Sequence, residues 1–245
     1  EVSILDSGID CSHPAITCHG SWNHVPSYEG TTDDLQGHGT HVAGIVASQN
    51  GKYRGVSPGA RLLNEKVAYR TAEGRATSPW DATIIAMQHS YYFGSEIAQY
   101  SYGWYPPGDD PPQDYYDNVN GNSELSKTFD AYVEAGLTSV ISAGNEGSSS
   151  NSIEVPSDAY NVITVGNFDD KNTNTRFDDE VVSSSSRGYT GDGRTKPDVA
   201  APGDGIWSAN TFWEGSGDDF IQKGGTSMAA PHISGIAALL VDQWA

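Results

Sequence analysis

The sequence has few basic residues, two cysteines and no long apolar run. Lysine and arginine number 13 against 32 aspartates and glutamates, so the formal net charge is −19. Nucleic acids and anionic membrane surfaces are bound through clusters of basic side chains, and the sequence contains no such cluster. No stretch approaches the roughly 18 consecutive apolar residues of a membrane-spanning helix. We therefore expect neither a nucleic-acid partner nor a membrane partner.

The two cysteines, Cys11 and Cys18, have six residues between them. A disulfide that closes this short loop would indicate an oxidising compartment. The alternative is a pair of free thiols, and the sequence does not decide between the two. Two cysteines without a second pair are a weak zinc motif.

Short apolar runs alternate with stretches of helical periodicity along the 245 residues. One helix is predicted to run from Pro79 to about Tyr92 with Ser78 as its N-cap, and a second to begin at Ser123 and end at Gly136. This alternation predicts an α/β fold with a mostly parallel central sheet and helices on both faces. The predicted strands cover residues 2–5, 61–68, 97–100, 137–143 and 162–165.

Polar residues lie at the carboxyl ends of three predicted strands. These residues are Asp6, Ser101 and Asn145. Ligands of parallel sheets bind beyond the carboxyl ends of the strands, so we expect these side chains to share one site. Residues 104–122 and 169–196 are rich in turn-forming residues and are predicted to be long surface loops of a single domain.

Three short motifs supply one group each: an acid, an imidazole and a hydroxyl. A serine hydroxyl is a poor nucleophile at neutral pH and needs an imidazole base within hydrogen-bond reach. The imidazole in turn needs a carboxylate on its other nitrogen to fix its tautomer and orientation. A fourth motif provides Asn145, whose amide is suited to donate to the oxyanion of a tetrahedral intermediate. The three motifs lie at residues 6–10, 37–44 and 225–232 and contain Asp6, His38 and Ser227.

Each motif alone has another interpretation. The sequences Asp-Ser-Gly and Ala-Gly-Asn are common in turns, and Gly-Thr-Ser is common at helix caps. His38 and His41 are three residues apart at a predicted helix start, so they also fit a metal-binding pair or two packed core histidines. Four such motifs in this order, at strand ends and helix starts, are not expected by coincidence.

At these residues the sequence resembles the subtilisin-like serine peptidases, including the chain order of acid, imidazole and serine. The resemblance extends from Asp6 to about Leu240, and residues 55–60 resemble the family's segment after the histidine helix. It implies hydrolysis of peptide bonds through an acyl-enzyme. The orienting acid, the general base, the nucleophile and the oxyanion donor would then be Asp6, His38, Ser227 and Asn145.

The resemblance also implies how a substrate binds. Family members hold it as an extended strand between two segments of the enzyme. Two carboxylates in the pocket for the residue before the scissile bond would favour lysine or arginine there; alternatively, Glu146 is a solvated rim charge. Pro156 matches the family's cis-proline position. The implied strand-binding residues are Gly74, Arg75, Ser101, Tyr102 and Gly103, and those that border the pocket are Ala143, Gly144, Glu146 and Glu154.

The sequence departs from the family pattern in two respects. Family domains usually extend further on both sides, so we expect residues 1–245 to form a single catalytic domain that is short at both ends. Residues 48–54 lack carboxylates, so the family's tight calcium loop is not expected. Asp198 matches a family cation ligand, with backbone carbonyls near residues 157–162, so calcium or another cation is expected there at most as a structural ion. The chemistry itself requires no cofactor.

The leading interpretation is a secreted serine endopeptidase that acts on proteins or peptides, with an inhibitory propeptide outside this sequence. The acidity fits a protein kept soluble outside the cell, in saline water among other settings. One alternative is a dedicated maturation protease or peptide macrocyclase, in which residues 104–122 shield the acyl-enzyme from water. Further alternatives are an inactive binding module and a zinc hydrolase that uses His38 and His41.

Overall fold

The computed structural model describes residues 1–72, 74, 76–104, 119–149 and 151–244. The helices are α1 Gly39–Ala47, α2 Trp80–Tyr92, α3 Glu124–Glu134, α4 Trp213–Ser216 and α5 Thr226–Trp244. The strands are β1 Val2–Asp6, β2 Cys18–Asn23, β3 Leu62–Lys66, β4 Tyr69–Arg70, β5 Ala76–Thr77, β6 Ile97–Tyr100, β7 Thr138–Ser142, β8 Ile163–Asp169, β9 Glu180–Val181, β10 Gly188–Tyr189, β11 Thr195–Lys196, β12 Val199–Pro202, β13 Ile206–Ala209 and β14 Phe220–Lys223.

The central sheet has eight strands in the part of the chain that the structure describes. Seven of them follow the order β12-β8-β7-β6-β1-β3-β2, and β9 pairs with β8. Every neighbouring pair along the seven-strand path is parallel, whereas β9 is antiparallel to β8. The prediction of a mostly parallel sheet is therefore confirmed. The carboxyl ends of β1, β6 and β7 meet at one edge because these three strands are adjacent and parallel.

Helices cover both faces of the sheet, as predicted. On one face α5 contacts α1 and the strands β6, β7, β8 and β12, and on the other α2 contacts α3. Successive side chains of a strand point to opposite faces. Ile4 accordingly packs in the apolar cluster that contains Val42 and Ala229, and Leu5 packs in the cluster that contains Met87 and Phe129.

The helix ends partly follow the sequence predictions. Ser123 caps α3, since its Oγ accepts a hydrogen bond from the backbone N–H of Ser126 at 2.9 Å. The Ser78 cap was wrong: Pro79 is the N-cap of α2, and Ser78 Oγ instead lies 3.0 Å from Thr83 Oγ1. Gly136 follows α3 with a φ of 105°, a value that suits a residue without a Cβ.

Several short elements were not predicted. The strand β2 has no long apolar run, and the hairpin of β13 and β14 pairs in an antiparallel manner outside the central sheet. Residues 169–196 hold the two-residue strands β9, β10 and β11 rather than a loop alone. Of the other predicted loop, residues 105–118 lie outside the described part of the chain.

Cys11 and Cys18 form a disulfide with a Cα–Cα distance of 5.6 Å. The bond joins the turn after β1 to the first residue of β2. Over the described ranges, no helix combines the length and the apolar character needed to cross a membrane.

Candidate active site

The acid and the imidazole predicted to act together are in direct contact. Asp6 ends β1, and His38 immediately precedes α1. Asp6 Oδ1 accepts hydrogen bonds from His38 Nδ1 at 2.7 Å and from the backbone N–H of Ser7 at 2.8 Å. A carboxylate accepts only, so the proton of the neutral imidazole is held on Nδ1. His38 Nε2 is thereby left as the basic nitrogen.

The charges around His38 set its pKa. Burial lowers this pKa, but the negative charge of Asp6 and its hydrogen bond outweigh the burial, so the net pKa lies above the usual histidine value. The positive charge of the nearby Lys223 ammonium lowers the pKa of His38. His38 is therefore a base that Asp6 strengthens and Lys223 weakens.

Asp34 positions this pair, and the sequence analysis missed it. Its Oδ1 accepts hydrogen bonds from the backbone N–H groups of Gln36 and Gly37, and its Oδ2 accepts one from Thr40 N at 2.8 Å. Ser7 Oγ also donates to Asp34 Oδ1 at 2.8 Å. Asp34 therefore satisfies free N–H groups at the start of α1 and fixes the turn that carries His38. Its only sequence signal is an acidic residue shortly before a helix.

Ser227 is the second residue of α5. Its Oγ donates a hydrogen bond to the backbone oxygen of Ser101 at 3.1 Å, and Ser101 Oγ donates to the backbone oxygen of Ser227 at 3.2 Å. His38 and Ser227 line the same cleft, which has a volume of about 380 Å³. Within the described residues, Ser227 Oγ has no hydrogen bond to His38, so the hydroxyl must turn from the Ser101 carbonyl to reach the base.

Asn145 is oriented by the start of α5. Its Oδ1 accepts hydrogen bonds from Thr226 N at 3.0 Å and Thr226 Oγ1 at 3.2 Å. A backbone N–H can only donate, so the amide oxygen must face Thr226 and the Nδ2 group must face away from it. Asn145 Nδ2 is thereby available to donate into the cleft that Asn145 and Ser227 line together.

Glu154 forms a buried wall of the same cleft. A Cβ on Gly103 would overlap Glu154 Oε2, and one on Gly144 would lie 2.6 Å from Oε1, so the carboxylate rests directly on both backbone segments. Burial, followed by repulsion from Glu146, raises the pKa of Glu154 to about 7. Glu154 therefore changes its charge near neutral pH.

Most of the predicted substrate residues border the cleft, but some do not. Ala143 is buried at the end of β7, and Glu146 is exposed outside the lining. Gly74 lies in the turn between β4 and β5 but is not part of the lining, and Arg75 lies outside the described residues. The residues that line the cleft as predicted are His38, Ser101, Tyr102, Gly103, Gly144, Asn145, Glu154 and Ser227.

Sequence reasoning missed Lys223, which lines the cleft from β14. Its Nζ donates to the backbone oxygen of Gly37 at 2.6 Å. It lies 185 positions after His38 in the sequence, and no local motif marks it. Other unpredicted lining residues are Gln36, Arg70, Ala76 and Ser142.

His41 is a packed core histidine and does not form a metal pair with His38. Its Nε2 lies 3.1 Å from the backbone oxygen of Ile206 and 3.0 Å from that of Ile221. These are acceptors, so Nε2 carries a proton and is not a free ligand. Burial, followed by the positive charge of Lys223, lowers the pKa of His41 to about 3. The alternative of a zinc hydrolase based on this pair is therefore not supported.

Asp198 is partnered within the chain. Its Oδ2 accepts hydrogen bonds from Lys196 Nζ at 2.7 Å and from Thr164 N at 2.8 Å. Lys196 Nζ also donates to the backbone oxygen of Val162 at 3.1 Å. The lysine ammonium thus contacts the Asp198 carboxylate and one of the backbone carbonyls, that of Val162, that the sequence assigned to a structural cation. The Val155–Pro156 bond is cis, as the resemblance implied.

Comparisons with known proteins agree with this geometry. A family model described as the subtilase family matches residues 1–244. Serine protease AprX of Bacillus subtilis is 34% identical over 99% of the chain, and Subtilisin amylosacchariticus of B. subtilis subsp. amylosacchariticus is 32% identical over 99%. The chain spans 57% and 55% of the lengths of these two relatives.

Solved structures show the same fold. The structure titled S41 Psychrophilic Protease has a TM-score of 0.77 and 26% identity, and covers 99% of this chain and 76% of its own. Sphericase has a TM-score of 0.75 and 26% identity, and covers 97% of this chain and 75% of its own. The site geometry, the fold and the family match lead to the same conclusion: the chain belongs to the subtilase family.

Proposed function

We propose that this chain is the catalytic domain of a serine endopeptidase that works through an acyl-enzyme. The observation that carries the proposal is the 2.7 Å contact between Asp6 Oδ1 and His38 Nδ1, in a cleft that Ser227 and Asn145 also line. This arrangement supplies a nucleophile, a base with a fixed tautomer and an oxyanion donor around one cavity.

The reaction follows from these positions. Ser227 Oγ attacks the carbonyl carbon of the scissile peptide bond while His38 Nε2 takes its proton. Asn145 Nδ2 and the backbone N–H of Ser227 donate to the oxyanion that forms. The protonated His38 then gives its proton to the leaving amine, and the C–N bond breaks. Water repeats the same steps on the acyl-enzyme and releases the acid product.

We propose a basic side chain for the substrate residue that precedes the scissile bond. Glu154 lies against the backbone of Gly103 and Gly144 and borders the cleft that contains the nucleophile. A buried carboxylate is costly when it is unpaired and charged, so a bound lysine or arginine would stabilise the charged form. Glu146, which is exposed, adds to the negative potential from the rim.

The location and partners belong to the same proposal. The disulfide between Cys11 and Cys18 favours an oxidising compartment, which is consistent with secretion. Proteins or peptides are the proposed substrates, and an inhibitory propeptide is a proposed partner. The narrower roles of maturation protease and macrocyclase share the same catalytic residues. A macrocyclase is separated from a hydrolase by its ring-closed product.

Two experiments test the proposal. A fluorophosphonate probe should label folded protein at Ser227, and Ser227→Ala should abolish labelling and lower peptide hydrolysis by about 10⁶-fold, the scale known for subtilisin itself. Failure to label the folded chain would favour a binding module instead. A linear peptide with a C-terminal tail should yield two linear products, and a ring-closed product would identify a macrocyclase.

A further inference from the structure

We propose that His24, Glu65 and His89 form a binding site for one divalent transition-metal ion of the zinc class. Glu65 lies on β3, His24 directly follows β2, and His89 lies in the last turn of α2. None of the three lines the cleft that contains Ser227. The proposed site is therefore separate from the catalytic residues.

The three side chains already converge. Glu65 Oε2 lies 2.6 Å from His24 Nε2, and Glu65 Oε1 lies 2.8 Å from His89 Nδ1. One potential ligand atom from each residue lies within 4.8 Å of the other two. Zinc binds imidazole nitrogen and carboxylate oxygen at about 2.0–2.2 Å, so tetrahedral ligand atoms are roughly 3.3 Å apart. The two imidazole–carboxylate contacts would each lengthen by less than about an ångström to reach that spacing.

The charge of Glu65 supports a cation at this place. Its side chain is fully buried, with 0% exposure. In the described part of the chain its ion-pair partners are the two imidazoles alone. The neighbouring Lys66 does not serve it, because the side chain of Lys66 pairs with Glu29 at 2.7 Å. A buried carboxylate needs compensating charge, and a divalent ion bound between the three side chains would supply it.

The imidazoles are held in place yet remain accessible. Trp22 and Phe93 pack on the ring of His89, with ring-centroid distances to His89 of 4.3 Å and 4.2 Å. The rings of Trp22 and Phe93 also contact each other, at a centroid distance of 4.8 Å. The backbone N–H of His24 donates to the Lys66 oxygen at 2.9 Å, which anchors that residue to β3. The side chains of His24 and His89 are 9% and 20% exposed, so solvent can reach the site and water can complete the coordination.

The ligand set also selects the ion. Two nitrogens and one carboxylate suit zinc, cobalt, nickel or copper, whereas calcium and magnesium prefer ligand sets made of oxygen alone. Calcium at the same concentration should therefore leave the site unaffected. Without a metal, the same three residues form a hydrogen-bonded cluster, and the experiment must separate these two states.

The test uses the whole chain with Ser227→Ala, which prevents self-digestion. A chelator first removes bound metal ions, and the protein is then transferred to a buffer that contains calcium in every measurement. Isothermal titration with zinc chloride should give one site per chain. In a separate thermal unfolding measurement, zinc should raise the melting temperature. Cobalt chloride should give the visible absorption of a tetrahedral site. His24→Gln and His89→Gln should each weaken binding by about 10-fold or more. His19→Gln is the matched control, because His19 is exposed on the adjacent β2.

The outcomes are distinct. Binding that is lost in the two site variants and retained in the His19 variant supports the proposal. Equal zinc affinity in all variants, or no stoichiometric binding by the parent, overturns it. If a site variant does not fold by circular dichroism, the cobalt spectrum of the parent decides, because an octahedral spectrum or none also overturns the proposal. Peptidase activity is not used as a readout, so the result is independent of the proposed function.

Discussion

The side-chain oxygen of Asn145 accepts a hydrogen bond from the backbone N–H of Thr226 at 3.0 Å. This bond joins the loop after β7 to the start of α5, which carries Ser227. It also fixes which end of the Asn145 amide enters the cleft. Asn145 and Ser227 are therefore positioned by the same helix terminus.

We expect Asn145→Ala to lower kcat by about 10²–10³-fold, the scale known for the oxyanion asparagine of subtilisin. The donor acts on charge that exists only in the transition state, so KM should change little. Steady-state kinetics on one peptide substrate measure both constants. Asn145→Asp, which keeps the shape but removes the donor, should show a loss at least as large. A change confined to KM would contradict the assigned role.

The rate should fall at acidic pH as His38 becomes protonated. Asp6 holds the pKa of His38 above its usual value, so the acidic limb of kcat/KM should lie at higher pH than that of an unperturbed histidine. Lys223 opposes protonation of His38. Lys223→Gln should therefore raise this pKa and move the limb to still higher pH.

Profiles of kcat/KM against pH for the parent and the Lys223 variant measure the shift. Glutamine keeps a polar N–H donor on a stem one bond shorter than that of lysine, while the charge is removed. Lys52→Gln serves as a control for loss of a surface charge, since Lys52 is exposed. A limb that moves to lower pH in Lys223→Gln would contradict the electrostatic argument.

Preference for arginine over phenylalanine before the scissile bond should increase with pH. The pKa of Glu154 is about 7, so its carboxyl is mostly neutral at pH 6 and mostly charged at pH 8. The ratio of kcat/KM values for two peptides that differ only at this position removes the contribution of His38, which is common to both. We expect the ratio to rise across this interval.

Two variants sharpen the specificity test. Glu154→Gln should lower the ratio and remove its pH dependence. Glu146→Gln should retain the pH dependence but move its midpoint to lower pH, because Glu146 raises the pKa of Glu154. Cleavage after phenylalanine that equals or exceeds cleavage after arginine at pH 8 would refute the proposed preference.

Replacement of Lys196 should create a calcium-responsive site at Asp198. Lys196→Gln removes the ammonium that contacts Asp198 Oδ2 and the Val162 oxygen, which leaves oxygens of the type that calcium binds. The increase in melting temperature on addition of calcium should then be larger than in the parent. The control is Lys171→Gln, whose lysine pairs with Asp169 at 2.7 Å on the surface. Equal calcium responses in parent and variant would contradict the argument.

The motifs of the site were predictable because each is local. Asp6 lies at the end of an apolar strand, His38 precedes a helix and Ser227 lies at the start of another. Each of these positions is marked by its residue type and by nearby glycines, so a sequence pattern identifies it. The parallel sheet was predictable because strands and helices alternate. The prediction of Ser78 as a cap was wrong because Ser78 and Pro79 are both suited to precede the first turn of the helix. The strand β2 was missed because its sequence, Cys18–Asn23, has no apolar alternation.

The sequence by itself determined the family and the order of the main elements, and it predicted the catalytic residues, since these depend on short-range patterns. Only the tertiary structure decided the placement of Lys223 beside His38, the burial that raises the pKa of Glu154, the contact of Lys196 with Asp198 and the meeting of His24, Glu65 and His89. Most of these depend on residues brought together by strand order across long chain separations. Charge and pKa then depend on burial, which no local pattern specifies.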